Sequence, residues 1–153
     1  MAFELKSTVL NQGQPISKKY TCDGSDVSIP LTWTDPPART KSFSLIADDP
    51  DAPMGTWVHW VMYDLPAEAR QLPEGVPKQE TLQDGSKQGR NDFGRIGYGG
   101  PCPPPGKPHR YFFKLCALGT KIGLPPGSTK QQVLNAIKGH TLGETQLMGT
   151  YKR

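Results

Sequence analysis

The residues with most chemistry to offer are two histidines, one Asp/Pro stretch and one Gly/Pro loop. The stretch Asp48-Asp49-Pro50-Asp51-Ala52-Pro53 puts three carboxylates within four positions. Such groups repel one another unless cations or hydrogen-bond donors answer them. By itself this stretch reads as an ordinary turn after a strand. The loop runs Tyr98-Gly99-Gly100-Pro101-Cys102-Pro103-Pro104-Pro105-Gly106-Lys107-Pro108 and leads into His109-Arg110-Tyr111. Glycine lets a backbone approach a ligand closely, and proline keeps a loop rigid so that the approach costs little entropy. A rigid surface crossover explains the same composition equally well.

The histidines tip the balance towards a site. Strand parity puts His59 on one face with Trp57, Val61 and Tyr63, and His109 with Tyr111 and Phe113. One histidine in an apolar strand is usually a satisfied core residue. Two, each near a strand end with an Asp-rich turn and a Gly/Pro loop at hand, make a small pocket of imidazole N–H, tyrosine O–H and backbone N–H donors. Such a pocket suits an anion, a phosphoryl group in particular. An aspartate beside each ring would orient it and raise its pKa.

Two other chemistries use the same residues. His59, His109 and Asp49 or Asp51 make a two-histidine, one-carboxylate metal set, but no HxH or HExxH spacing accompanies them. Cys102, His109 and an aspartate make a thiol nucleophile set. Cys102 lies between prolines rather than at a helix N-terminus, where a thiol pKa falls. Neither a GxSxG elbow nor a GxxxxGK phosphate loop is present. No metal and no cofactor is expected.

The elements that must position these groups are short. Glycine (17) and proline (16) make about a fifth of the 153 residues, against about 12% in ordinary domains. That excludes a helical bundle and favours one mostly β domain spanning 1–153. Strand patterns fall at Phe3–Ser7, Ile29–Thr34, Lys41–Ala47, Trp57–Leu65 and Arg110–Leu118, with a short last strand at 144–151. In Lys41–Ala47, Phe43, Leu45 and Ala47 share a face and Ile46 is out of pattern. Trp57–Leu65 is apolar on both faces, as a covered central strand should be. Ser128 with Gln131 reads as a capping box opening a helix over about 128–138, which Gly139 ends. Pro66–Leu72 has room for a turn or two of helix, and 84–109 reads as irregular. The expected architecture is a β-sandwich of antiparallel sheets with this one C-terminal helix.

Several function classes drop out. The longest run free of charged residues and breakers, Trp57–Tyr63, is far short of the roughly 20 residues that span a bilayer. The N-terminal residues show no basic region leading into an apolar run, so a cytoplasmic protein is expected. The net charge of +4 is scattered and matches no nucleic-acid motif. Three cysteines without a CxxC pair argue against a disulfide scaffold and a Cys-rich zinc site. Cys22 and Cys102 each precede a candidate pocket segment and have scope to lie close together. Exposed sheet edges leave a homodimer open.

The sequence resembles the phosphatidylethanolamine-binding protein family, which includes the Raf kinase inhibitor protein, and is similar to its small bacterial and archaeal branch. The matching stretches are Asp49-Pro50-Asp51-Ala52-Pro53 with His59-Trp60, and Gly100-Pro101 with His109-Arg110-Tyr111. Tyr20–Gly24 leading to Pro30–Trp33 also matches, as does the tail from Ala136 to Tyr151. The resemblance implies a Greek-key sandwich with an anion pocket made by Asp49, Pro53, His59, Gly100, Pro101, His109 and Tyr111. It implies a cis Ala52–Pro53 bond, with Asp51 and Trp57 supporting the rim and Arg110 facing away. It further implies a non-catalytic protein that binds phosphoryl groups, phospholipid headgroups or nucleotides, with a kinase or protease as a partner to inhibit. The alternative is a hydrolase or metal-dependent enzyme built on His59, His109 and Asp49. The chain departs from the family where Ser28-Ile29-Pro30 replaces a Ser-Pro-Pro run, in its short Met54–Val58 link, and in ending at Arg153, whereas longer eukaryotic members carry a closing C-terminal helix.

Overall fold

The computed structural model describes residues 2–153, arranged as two antiparallel sheets and one helix. β1 (Glu4–Lys6), β2 (Leu31–Thr34) and β5 (Gln71–Leu72) form a three-stranded sheet in the order β1-β2-β5. The larger sheet holds β3 (Ser42–Asp49), β4 (Trp57–Pro66), β6 (Lys87–Gln88), β7 (His109–Leu118) and β8 (Thr141–Tyr151), ordered β6-β4-β3-β7-β8. Among the described residues, no helix is long and apolar enough to cross a membrane.

β3 is buried along all eight residues because it is central and covered on both sides. Its pleat sorts the side chains. Phe43, Leu45 and Ala47 enter the main core between the sheets, with Leu31, Trp33, Trp60 and Phe113. Ile46 is the correct residue for the opposite face, where it meets Val61, Tyr63, Val133 and Ile137 beneath α1 (Lys130–Ile137). The second apolar layer thus explains the one residue that broke the simple alternation.

Several local expectations are corrected. The helix is capped one residue later than expected. Thr129 Oγ1 accepts from the Gln132 amide, and Gln132 Oε1 accepts from the Thr129 amide. Ser128 is buried and donates its hydroxyl to the Pro125 carbonyl instead. Gly139 ends the helix with φ of 82° as expected. The stretch 66–72 forms a turn and the short β5, not a helix, because Gln71 and Leu72 pair with Thr32 and Leu31. β8 starts at Thr141 and is eleven residues long, paired with β7 from end to end. The 84–109 region is mostly irregular but contributes β6.

β3 also runs two residues past Ala47, so Asp48 and Asp49 belong to the strand rather than to a turn. The pleat then sends the two carboxylates to opposite faces. That separates the charges whose proximity in sequence looked unfavourable.

Candidate functional site

Each of the three aspartates has its own cation or donor. Asp48 faces α1 and takes a 2.7 Å ion pair from Lys130 Nζ. Asp49 faces the other way, where its Oδ2 lies 2.7 Å from His109 Nδ1. Its Oδ1 accepts from the Asp51 amide at 2.8 Å. Asp51 is held by Arg110 through the backbone amide, Nε and Nη2, all at 2.9 Å. The Arg110 guanidinium keeps the Asp51 carboxyl low, at a pKa of about 2. Arg110 faces out of the sheet, as expected, and is consumed by this clamp.

The turn between β3 and β4 is closed by these contacts and by Gly55, whose φ of 110° suits only glycine. Its amide donates to the Ala52 carbonyl at 3.1 Å. The Ala52–Pro53 bond is trans, contrary to the expectation of a cis turn.

His59 reaches the site through a break in strand register. Ala47 of β3 pairs with Trp60 and Asp48 pairs with Val58, so His59 is the extra residue between two consecutive partners. A bulge of this kind re-aims side chains and upsets parity. Trp60 therefore packs in the main core while Val61 and Tyr63 pack under the helix. His59 turns toward Tyr111, with ring centroids 5.2 Å apart. The expectation that His59 shares a face with Val61 and Tyr63 is corrected on this point. Its companions are Trp57, Phe93 and Tyr111.

A reciprocal pair of bonds fixes the ring. His59 Nδ1 donates to the Gly99 carbonyl at 2.6 Å, and the Gly99 amide donates to the His59 carbonyl at 2.9 Å. Burial pushes the His59 pKa down, against the opposing pull of the Gly99 carbonyl and of nearby aspartates. The anticipated aspartate beside each ring is present for His109 only. His59 has a neutral carbonyl instead, and burial outweighs the upward pull of that carbonyl and the aspartates, so its shift is opposite in direction to the one anticipated.

The two histidines meet at a hollow of about 220 Å³ lined by Asp49, Ala52, Pro53, Met54, Trp57, His59, Phe93, Cys102, Pro103, Pro104, His109 and Tyr111. Both Nδ1 atoms are engaged, which leaves Nε2 of each ring for a guest. The Tyr111 hydroxyl is buried and has no hydrogen-bond partner. Burial, reinforced by the charge and the hydrogen-bonding pull of the nearby Asp49 carboxylate, which stays outside hydrogen-bond geometry, holds its pKa far above the usual phenol range, so it keeps its proton and remains a donor. Among the described residues, no lysine or arginine lines the hollow.

Of the residues expected at the site, Asp49, Pro53, His59, His109 and Tyr111 line the hollow, together with the rim residue Trp57. Asp51 acts one step back, through Arg110. Gly100 and Pro101 are buried behind the wall and do not line it. The Gly100 amide donates to Asp26 Oδ1 at 2.7 Å, and a Cβ there would stand 2.4 Å from the Tyr20 carbonyl oxygen. Glycine is needed at 100 for close packing of backbone on backbone.

Phe93 was missed by sequence reasoning. It stacks edge-on against Trp57 (5.5 Å) and His59 (5.4 Å). Its loop is pinned to β4, since Asp92 Oδ2 accepts from the Val58 amide and the Asp92 amide donates to the Val58 carbonyl. Gly99 leaves space for the ring, because a Cβ at 99 would lie 2.6 Å from it. The available signal was the one aromatic residue of Asn91-Asp92-Phe93-Gly94. A bridge between Cys22 and Cys102 also lies at the edge of the hollow. The prospect that the two cysteines approach is met, and one bridge does form although a disulfide scaffold was not expected.

A family model for phosphatidylethanolamine-binding protein matches residues 6–152. The chain belongs to that family. It is 50% identical over 149 residues to a UPF0098 protein of Methanothermobacter thermautotrophicus, covering 97% of this chain and 98% of the relative. A UPF0098 protein of Aquifex aeolicus is 51% identical over 152 residues, covering 98% and 88%. Among solved structures, a phosphatidylethanolamine-binding protein homologue from Chlamydia trachomatis superposes with a TM-score of 0.90 at 41% identity, covering 99% of this chain and 98% of that one. YbcL of E. coli, a member of the same family, superposes with a TM-score of 0.93 at 34% identity, covering 100% and 99%. The family's two-sheet fold is the fold seen here.

Proposed function

We propose that the hollow is a preformed site for a small anion, a phosphoryl group or a similar oxyanion, and that the protein is a non-catalytic binding or regulatory protein. One observation carries the reading. Two histidines from different strands present their remaining ring nitrogens beside a buried, unpartnered tyrosine hydroxyl. The namesake ligand of the family carries a phosphoryl group, which agrees with this chemistry.

The charge state of the site refines the ligand. His59 is held toward its neutral form, with its proton on Nδ1 facing Gly99, so its Nε2 offers a lone pair. A guest with a P–OH group satisfies that lone pair, while Tyr111 donates to a second oxygen. A fully ionised guest instead requires His59 to take up a proton. By either route, binding is accompanied by proton uptake, and affinity rises as pH falls through the range where the phosphate and the imidazole titrate. With no lysine or arginine in the lining, a bare anion is held by a few hydrogen bonds worth roughly 1.5–3 kcal/mol each before binding costs. Affinity on the order of millimolar follows.

The apolar wall of Trp57, Phe93, Pro103 and Pro104 favours a phosphoryl group carried on an apolar substituent. A phosphorylated segment of a kinase or protease would add area outside the hollow, and inhibition of such an enzyme is the regulatory role that fits. Titration of inorganic phosphate followed by NMR at His59 and His109, repeated across pH, tests the proposal. Shifts at both rings with affinity increasing toward acid support it. Affinity that climbs with pH, or shifts at neither ring, overturns it.

A further inference from the structure

We propose that the Cys22–Cys102 bridge is a redox modification site on the wall of the hollow, and that its reduction by a dithiol loosens the wall and weakens ligand binding. The inference rests on the phosphoryl-binding reading for its functional consequence, though its mechanical part stands on the loop alone.

Cys102, Pro103 and Pro104 form one side of the hollow. Five of the eight residues from 101 to 108 are proline, so most of this loop has no amide with which to fasten itself. Of the three amides left, only that of Gly106 bonds to the backbone, to the Arg153 carbonyl at 3.3 Å. The loop's carbonyls do little more. Pro101 accepts from the Cys22 amide at 3.1 Å, and Pro103 accepts from Arg153 Nη1 at 3.4 Å. Arg153 is itself partly exposed and shared with Asp23. Long contacts from an exposed arginine contribute little. The covalent bridge is thus the main tie between this wall and the scaffold.

The bridge is open to attack from solvent. Cys102 is exposed and Cys22 is half-buried. A thiolate of the reductant attacks Cys102 Sγ, the Cys22–Cys102 bond breaks, and Cys22 leaves as a thiolate that takes a proton. The second thiolate of the reductant then attacks its own sulfur in the mixed disulfide and releases Cys102. Two electrons pass to the cysteine pair, and the dithiol becomes a disulfide. Cys116, the remaining cysteine, sits on β7 away from the hollow, with its thiol pushed up to about 11 by burial. It is a spectator.

Once free, the wall must be ordered again by each guest. Ordering about one residue's backbone on binding weakens affinity roughly tenfold. The test compares the oxidised full chain with the same chain held in dithiothreitol. Thiol counting, phosphate titration and amide hydrogen exchange are the readouts. The inference predicts one free thiol before reduction and three after, affinity for inorganic phosphate about tenfold weaker, and faster exchange confined to the two amides bonded at this loop, those of Cys22 and Gly106. The variant C22S/C102S should match the reduced chain in both conditions. Three thiols without reductant, unchanged exchange at the loop, or loss of protection throughout β3 and β7 on reduction each overturns it. Equal phosphate affinity in both states overturns it as well. If the oxidised chain binds no phosphate at all, the phosphoryl reading fails, and the bridge is judged by exchange alone: acceleration at the Cys22 and Gly106 amides upholds it and its absence overturns it.

Discussion

Replacing Tyr111 with Phe should stabilise the free protein and impair ligand binding, two effects of opposite sign from one oxygen atom. The hydroxyl is buried without a partner, and such a group costs about 1–3 kcal/mol of folding free energy. The ring itself packs in the main core and edge-on to His59, and phenylalanine keeps both contacts. Y111F should therefore raise stability by about 1 kcal/mol, taking the low end because the neighbourhood is part of an open hollow. In a chain of this length that corresponds to a melting temperature higher by about 3 °C. The same change removes a donor from a charged guest. A hydrogen bond to a charged group contributes roughly 1.5–3 kcal/mol, which is about 10- to 150-fold in dissociation constant. Urea unfolding followed by tryptophan fluorescence gives the first number, and phosphate titration by NMR gives the second. A variant that is less stable by more than 1 kcal/mol and binds phosphate as well as the parent would refute the reasoning, because Tyr111 would then be a satisfied structural residue.

Three further outcomes follow from the contacts. Lys130→Met leaves Asp48, 2% exposed, without its cation. It should cost about 3 kcal/mol, the low end for a broken buried pair because Lys130 is a quarter exposed, and adding Asp48→Asn should recover most of that in a double-mutant cycle. Gly100→Ala drives a Cβ to 2.4 Å from the Tyr20 carbonyl oxygen, so it should destabilise by about 2 kcal/mol or more yet leave phosphate affinity of the folded chain unchanged. Asp51 has a folded pKa of about 2, below the ordinary carboxylate value, so its contribution is present above about pH 4 and is lost as pH falls toward 2. Arg110→Ala should flatten acid unfolding across that window while changing stability little at neutral pH, since the guanidinium is half exposed and screened by solvent.

Much of the site was legible in the sequence because β7 alternates cleanly. His109, Tyr111, Phe113 and Leu115 are buried and Arg110 and Lys114 are exposed, as the period of two requires. β4 was misread for a definite reason. A bulge adds one residue on one strand, and no local pattern in Trp57–Leu65 announces it, because both faces of that strand are apolar. Parity therefore grouped His59 with Val61 and Tyr63, which pack under the helix, whereas the bulge turns it to the hollow. Asp48 and Asp49 looked like a turn because Pro50 follows them, whereas pairing with β4 and β7 extends the strand. The Cys22–Cys102 bridge spans 80 residues, a separation that an odd cysteine count cannot resolve. Phe93 depends on Asp92 fastening a loop to Val58, a long-range bond with no local signature.

The most direct measurement is a crystal structure of the protein grown with phosphate. The account predicts the ion within hydrogen-bond distance of Nε2 of His59, Nε2 of His109 and the Tyr111 hydroxyl, with Asp49 still on His109 Nδ1. An ion seated elsewhere on the surface, with the hollow filled by a neighbouring apolar side chain, would contradict it.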